Sequence, residues 1–322
     1  VDAAWNASLD VGGTVSRSKI VYGEYAGFFA EPDLVLDVGG DLLDSEVVGR
    51  EARVDAEGTV VNVVRDARGV RFASRETGGD RQYTIGRNFQ GSIQASDADV
   101  SLDVGGSVQK GSSLVTGGNA AVSVDRDFDG AVNAEGLTFF TVGNVAKSSR
   151  IVAGRVGAWN TTEFAQESAG GGVNGGPIAG QSFYVGGRFD GILNANAFDA
   201  YDGVAAVTVI HGGAGKSARF YVGRFETDTI VFAGNFEGNV RVLQDLVADL
   251  TFAGNLDRIT IGGQVLADIT VGGTLFYLNS NSWFAPTGSG KKTGIFVDGS
   301  STTTGTLTAG KYVTVGPVAI LG

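Results

Sequence analysis

The chain has no cysteine and no methionine, and only 4 prolines and 1 histidine among its 322 residues. Without cysteine there can be no disulfides, thiolate metal sites or cysteine nucleophiles. A methionine-free chain that begins VDAAWNASLDVGG points to a processed form from which an export signal has been removed. Uninterrupted apolar runs fall well short of the roughly 18 residues of a membrane-crossing helix, so no direct membrane span is expected. Basic charge is also scarce. The 24 Lys and Arg against 35 Asp and Glu leave a net charge of -11 and a pI near 4.6. That balance disfavours phosphate backbones and anionic lipid, so no nucleic-acid partner is expected. Divalent cations, glycans and other neutral surfaces stay open as partners.

What the chain has in excess is glycine, 52 residues, alongside 43% hydrophobic residues. Collagen is excluded by the scarce proline and the lack of a triplet period, and a disordered linker by the apolar content. A chain of this length can form two ordinary domains or one long repeat domain. Its internal repetition favours the second.

Residues 250 to 275 read LTFAGNLDRITIGGQVLADITVGGTL, in which TFAGNL, TIGGQV and TVGGTL are one hexapeptide written three times. YTIGRNFQGSIQA, VSVDRDFDGAVNA and FYVGGRFDGILNA align with it and place Phe89, Phe128 and Phe189 in one column, which VFAGNFEGNV extends to Phe236. The apolar residue before each small pair falls at Val222, Phe232, Val242, Phe252, Ile261 and Val271, with separations of 10, 10, 10, 9 and 10. Between the small pairs, apolar and polar residues alternate with the period of a half-buried strand. The small pairs suit tight corners. Ten residues cannot close a core alone, but strands repeated at a fixed interval can do so by stacking. The spacing therefore predicts an all-β fold, a parallel β-helix (β-solenoid) of roughly ten-residue strand-turn units, about two strands to a coil. VRVLQDLVADL has helical spacing in isolation, yet in phase with its neighbours it is a strand, with Val242 over Ile261 and Leu250 over Ile269.

The pattern VGG-x-[FVL]-x-G-x-[IVL]-x-A resembles the β-strand repeats of bacterial surface proteins, and GRNFQGSIQA with GNFEGNV is similar to the repeats of bactofilins, polymer-forming β-helix proteins. The resemblance covers about two thirds of the chain in scattered copies and implies a parallel solenoid. On this reading residues 1–322 form a single elongated domain, interrupted by irregular loop insertions at about 65–81, 158–181 and 279–304.

Candidate chemistry is sparse. DRDFDG supplies Asp125, Asp127 and Asp129 in the spacing that opens an EF-hand calcium loop. Against calcium, position twelve is Gly136, and Phe128 belongs to the core column. HGGAG at His211 resembles an esterase oxyanion loop but has no G-x-S-x-G nucleophile elsewhere, and GSGKKTG lacks the first glycine of a phosphate loop. Gln90, Asp129, Asp190 and Glu237 share the position after the column phenylalanine, as an outward face requires. No catalytic residues and no cofactor other than calcium are expected. Asn6 and Asn160 fit the N-glycosylation pattern.

The two ends of the chain both follow the repeat grammar without an evident capping helix. Leu9, Val11 and Val15 near the start, and Val313, Val315, Val318 and Ile320 near the finish, are the candidate assembly residues of a head-to-tail homopolymer. The expected function is a structural, self-assembling subunit of an extracellular filament or surface layer, not an enzyme. The alternatives are a surface adhesin or glycan-binding module, and a polysaccharide-active β-helix enzyme.

Overall fold

The computed structural model describes residues 2–3, 7–22, 34–49, 58–77, 80–157, 183–198, 207–210, 212–225, 229–244, 249–256, 258–261, 269–275, 294–297 and 307–312. Among them every regular element is a strand, and the inter-strand pairings are parallel. The chain is a β-solenoid. Its contacts divide into two compact units, one running to Val142 and a second beginning at Gly143, which are described in turn.

In the first unit each coil has three sides. The first side stacks Ala7–Val11, Leu34–Val38, Gly58–Val63, Asp80–Ile85, Val100–Val104 and the beginning of Asn119–Val145. Leu36, Val38, Val61, Val63, Tyr83, Ile85, Leu102, Val104, Val122 and Val124 alternate inward along these strands and are buried. After a glycine corner comes a short second side, on which Val15, Leu42, Ala67, Phe89, Val108 and Phe128 stack. The third side stacks Lys19–Tyr22, Glu46–Gly49 and the later parts of Ala67–Thr77, Phe89–Asp97, Val108–Thr116 and Asn119–Val145. The expectation of two strands per coil omitted the short side, which is one or two residues long and carries no alternation to read.

The second unit repeats the plan. Phe183–Val185, Val207–Ile210, Thr229–Phe232, Asp249–Phe252, Ile269–Leu275 and Leu307–Tyr312 stack on one side. Arg150–Val156, Ile192–Phe198, Arg219–Phe225, Asn239–Val242, Arg258–Ile261 and Gly294–Val297 stack on another. Between them, single bridges join Val145, Phe189, Ala214, Phe236 and Leu256. The ten-residue period is thus a step from one side of the coil to another, and twenty residues return to the same side. Val242 pairs with Ile261 and Leu250 with Ile269, as the sequence alignment required.

The phenylalanine column points inward: Phe89, Phe128, Phe189 and Phe236 are all buried. In the second unit the rings form a continuous chain, with centroid separations of 4.6 Å for Phe189–Phe220, 5.7 Å for Phe220–Phe236, 5.0 Å for Phe232–Phe236 and 4.7 Å for Phe232–Phe252. Such pairs contribute about 0.5–1.5 kcal/mol each beyond burial of their area.

Within the segment expected as an insertion at 65–81, Ala67–Thr77 and the start of Asp80–Ile85 are strands. Strand Ala67–Thr77 buries Ala67, Val70 and Phe72 and pairs with both neighbouring coils. Arg65, Arg68 and Arg71 point outward, and their charge disguised the alternation. Within the segment expected as an insertion at 279–304, Gly294–Val297 is a strand paired with Arg258–Ile261. The insertion at 158–181 lies outside the described residues.

The coils are also tied at one corner by a side-chain ladder. Thr14 Oγ1 accepts from the Asp41 amide, Asp41 Oδ1 from Asp66, Asp66 Oδ1 from Asn88, Asn88 Oδ1 from Ser107, and Ser107 Oγ from Asp127, at 3.0–3.4 Å. Each rung's oxygen thus satisfies an amide of the next rung, which gives the stack a direction. In the second unit Asn144 Oδ1 accepts from the Arg188 amide and Asn235 Oδ1 from Asn255.

Candidate functional site

The acidic candidates do not gather into a calcium loop. Asp125, Asp127 and Asp129 lie along the extended strand Asn119–Val145, and Asp127 is exposed at the corner, where its amide donates to Ser107. Among the described residues no three carboxylate, histidine or cysteine side chains converge on a metal position. The nearer relation of Asp125 is to Asp103 on the preceding coil. Burial raises the Asp103 carboxyl above its ordinary pKa range and the charge of Asp125 adds to this, while a hydrogen bond from Ser123 works the other way. Asp103 and Ser123 are register partners on an outward position of the first side, yet Ser123 is only 8% exposed. This covered polar patch was not visible in the alternation, which equates outward with wet.

The third side carries an ordinary surface ladder. Lys19 Nζ lies 2.8 Å from Glu46 Oε2, and Arg71 donates to the other oxygen of the same carboxylate. These two hydrogen bonds, Lys19 first, hold the Glu46 carboxyl below its usual range. In the second unit Arg188 pairs with Asp190 at 3.1 Å and reaches Glu237 at 3.9 Å. Asp190 and Glu237 therefore face outward beside the buried phenylalanines, as the repeat alignment required.

The first rung has the most unusual surroundings. Leu9, Val11 and Val15 occupy inward positions of the repeat and pair with Leu36, Val38 and Leu42. Those three partners are 0%, 1% and 0% exposed, whereas Leu9, Val11 and Val15 are half-buried. The glycine corner tells the same story. A Cβ on Gly39 or Gly40 would come within 2.9 Å or less of the rung above it, and a Cβ on Gly12 or Gly13 would meet nothing within 4 Å. Among the described residues Ala7–Val11 pairs only with Leu34–Val38, and Val15–Ser16 only with Leu42–Leu43. The sequence here is nevertheless an interior sequence. SLDVGG at 8–13 recurs as VLDVGG at 35–40 and as SLDVGG at 101–106, where Leu102 and Val104 are buried between two neighbouring rungs.

Of the other candidates, Val313, Val315, Val318 and Ile320 lie outside the described residues, as do His211, Asn6 and Asn160. No helix among the described residues is long and apolar enough to cross a membrane. Fold and strand pairing together define a parallel β-solenoid repeat protein. Comparison with protein-family models, curated proteins and solved structures finds no match to the chain.

Proposed function

We propose that this chain is a structural, self-assembling subunit of an extracellular filament or surface layer, joined head-to-tail through the edges of its end rungs. The observation that carries the reading is the contrast between half-buried Leu9, Val11 and Val15 and their fully buried register partners. Strands of this grammar pair in parallel from coil to coil, so among the described residues Ala7–Val11 has a second side that suits a strand of the same grammar from another copy. Such a contact is heterologous and non-closing, and propagates into a fibre. The extracellular placement rests on the sequence alone.

Completing the burial of three aliphatic side chains is worth roughly 1 kcal/mol each, and each new backbone hydrogen bond about 0.5–1.5 kcal/mol. Set against the cost of association, these gains make a joint that forms at high protein concentration. Electron microscopy of the concentrated chain tests the reading. Filaments or ordered sheets, abolished by Val11→Lys in a variant that keeps its β circular dichroism, are expected. Monodisperse particles at every concentration, or filaments unaffected by Val11→Lys, contradict it.

A further inference from the structure

We propose that one side of the second unit, the stack that begins with Arg150–Val156, binds an acidic polysaccharide laid along the stacking direction. The proposal goes beyond the head-to-tail reading and does not depend on it. The strands of this side carry Arg150, Arg155, Arg219, Arg224, Arg241 and Arg258, and not one Asp or Glu. The strands of the other stacked side, from Phe183–Val185 to Leu307–Tyr312, carry no arginine. The net charge of -11 does not oppose a basic face here. Residues 1–142 contain 22 of the 35 acidic residues, whereas residues 143–322 contain 12 Lys and Arg against 13 Asp and Glu.

Strand alternation turns these charges outward. Ile151, Phe220 and Val240 are buried, so their chain neighbours Arg150, Arg219 and Arg241 lie on the outer face, where Arg150 and Arg241 are exposed and Arg219 is half-buried. Arg150 pairs with Ile192 and Ile192 with Arg219, and Tyr221 on the Arg219 strand pairs with Arg241 on the next rung. Arg219 Nη1 donates to the Lys216 and Ala218 carbonyls, both at 2.8 Å, which holds the guanidinium in place and leaves its charge uncancelled. Among the described residues none of these three arginines is in an ion pair, and the unit's acid-base pairs gather around Arg188 at the corner. Half-buried Tyr221 shares the face with its exposed register partner Asn194. Guanidinium forks take carboxylate or sulfate groups bidentately, a tyrosine ring packs against the apolar face of a sugar, and an asparagine amide both donates to and accepts from hydroxyls. Spacing decides among polyanions. Along the stack Arg150 and Arg219 are two rungs, about 9.6 Å, apart, and Arg219 and Arg241 one rung, about 4.8 Å. A nucleic-acid strand carries a phosphate every ~3.4 Å, more densely than these cations can match. A polysaccharide charged on each sugar or on alternate sugars is sparser, and between its charges offers the hydroxyls and ring faces that Asn194 and Tyr221 suit.

The test is calorimetric titration of the dilute full-length chain with polygalacturonate, which presents carboxylates, and with heparin, which adds sulfates. Dextran and single-stranded DNA are the comparison ligands, and each titration is run at about 50 mM and about 200 mM salt. Binding to at least one acidic polysaccharide, weaker at the higher salt, is expected, with none to dextran and weaker binding to DNA. Arg150→Ser combined with Arg241→Ser is expected to lower the affinity at least tenfold while leaving the circular dichroism unchanged, since both side chains are exposed. Arg65→Ser combined with Arg87→Ser removes the same charge from exposed positions of the first unit and is expected to change the affinity less than twofold. Tyr221→Ala is expected to weaken binding severalfold without altering its salt dependence. No binding to either polysaccharide overturns the proposal, as do equal losses from the two double variants, which would mean charge without a site. DNA bound as tightly as the polysaccharides, or an unaltered affinity in Tyr221→Ala, overturns the choice of a glycan. Because the chain is dilute throughout, none of these outcomes bears on head-to-tail assembly.

Discussion

Replacing Phe189 by alanine removes a ring that is 0% exposed and lies 4.6 Å from Phe220 and 6.4 Å from Phe183. A phenylalanine side chain buries on the order of 150–250 Å², which at about 25 cal/mol per Å² is worth roughly 4–6 kcal/mol. Partial relaxation of the cavity brings the expected loss to about 3–5 kcal/mol. Its neighbour Asp190 points the other way, with a side chain 29% exposed and paired to a surface Arg188. Asp190→Ala is therefore expected to cost less than about 0.5 kcal/mol. With a urea dependence of about 2 kcal/mol per molar, the first variant shifts the denaturation midpoint by on the order of 2 M and the second by roughly 0.2 M or less. Circular dichroism during urea unfolding reads both. Midpoints displaced equally by the two variants would refute the inward column, and with it the register of the coils.

Asn88→Ala removes a rung of the corner ladder, leaving the Ser107 amide and Asp66 Oδ1 short of a partner, and is expected to cost about 1–2 kcal/mol in the same assay. Arg17 is exposed with φ of 50°, in the corner column that continues to Asp44 at 47° and Gly69 at 64°; Arg17→Gly is expected to stabilise by up to about 1 kcal/mol. A raised carboxyl binds its proton more tightly in the folded state, so the stability linked to Asp103 is present at low pH and lost as the pH rises through its folded value. Asp103→Asn is expected to raise Tm at pH 7 and to leave it unchanged below about pH 4, and a lower Tm at pH 7 would contradict the burial argument.

Much of this fold is legible in the sequence because its signal is columnar. Val242 over Ile261 and Leu250 over Ile269 could be placed without coordinates, since a misregister by one residue would turn every apolar side chain outward. The coil at 67–77 was missed because its outward arginines outweigh three inward residues in a composition reading. The corner ladder escaped because Thr14, Asp41, Asp66, Asn88, Ser107 and Asp127 are of four residue types and share only a short side chain with an oxygen, three residues after the last inward residue of the first side. The first rung was legible as apolar but not as exposed. Residues 8–13 and 101–106 have the same sequence, and the difference lies in what stacks on them.

Hydrogen exchange at that rung tests the central claim most directly. In dilute solution the amides of residues 8–16 should exchange rapidly, while those of 35–43 in the next rung stay protected. On concentration, protection should spread to residues 8–16 as a second chain pairs with this rung. Rapid exchange at residues 8–16 in material that has demonstrably associated would contradict assembly through this edge.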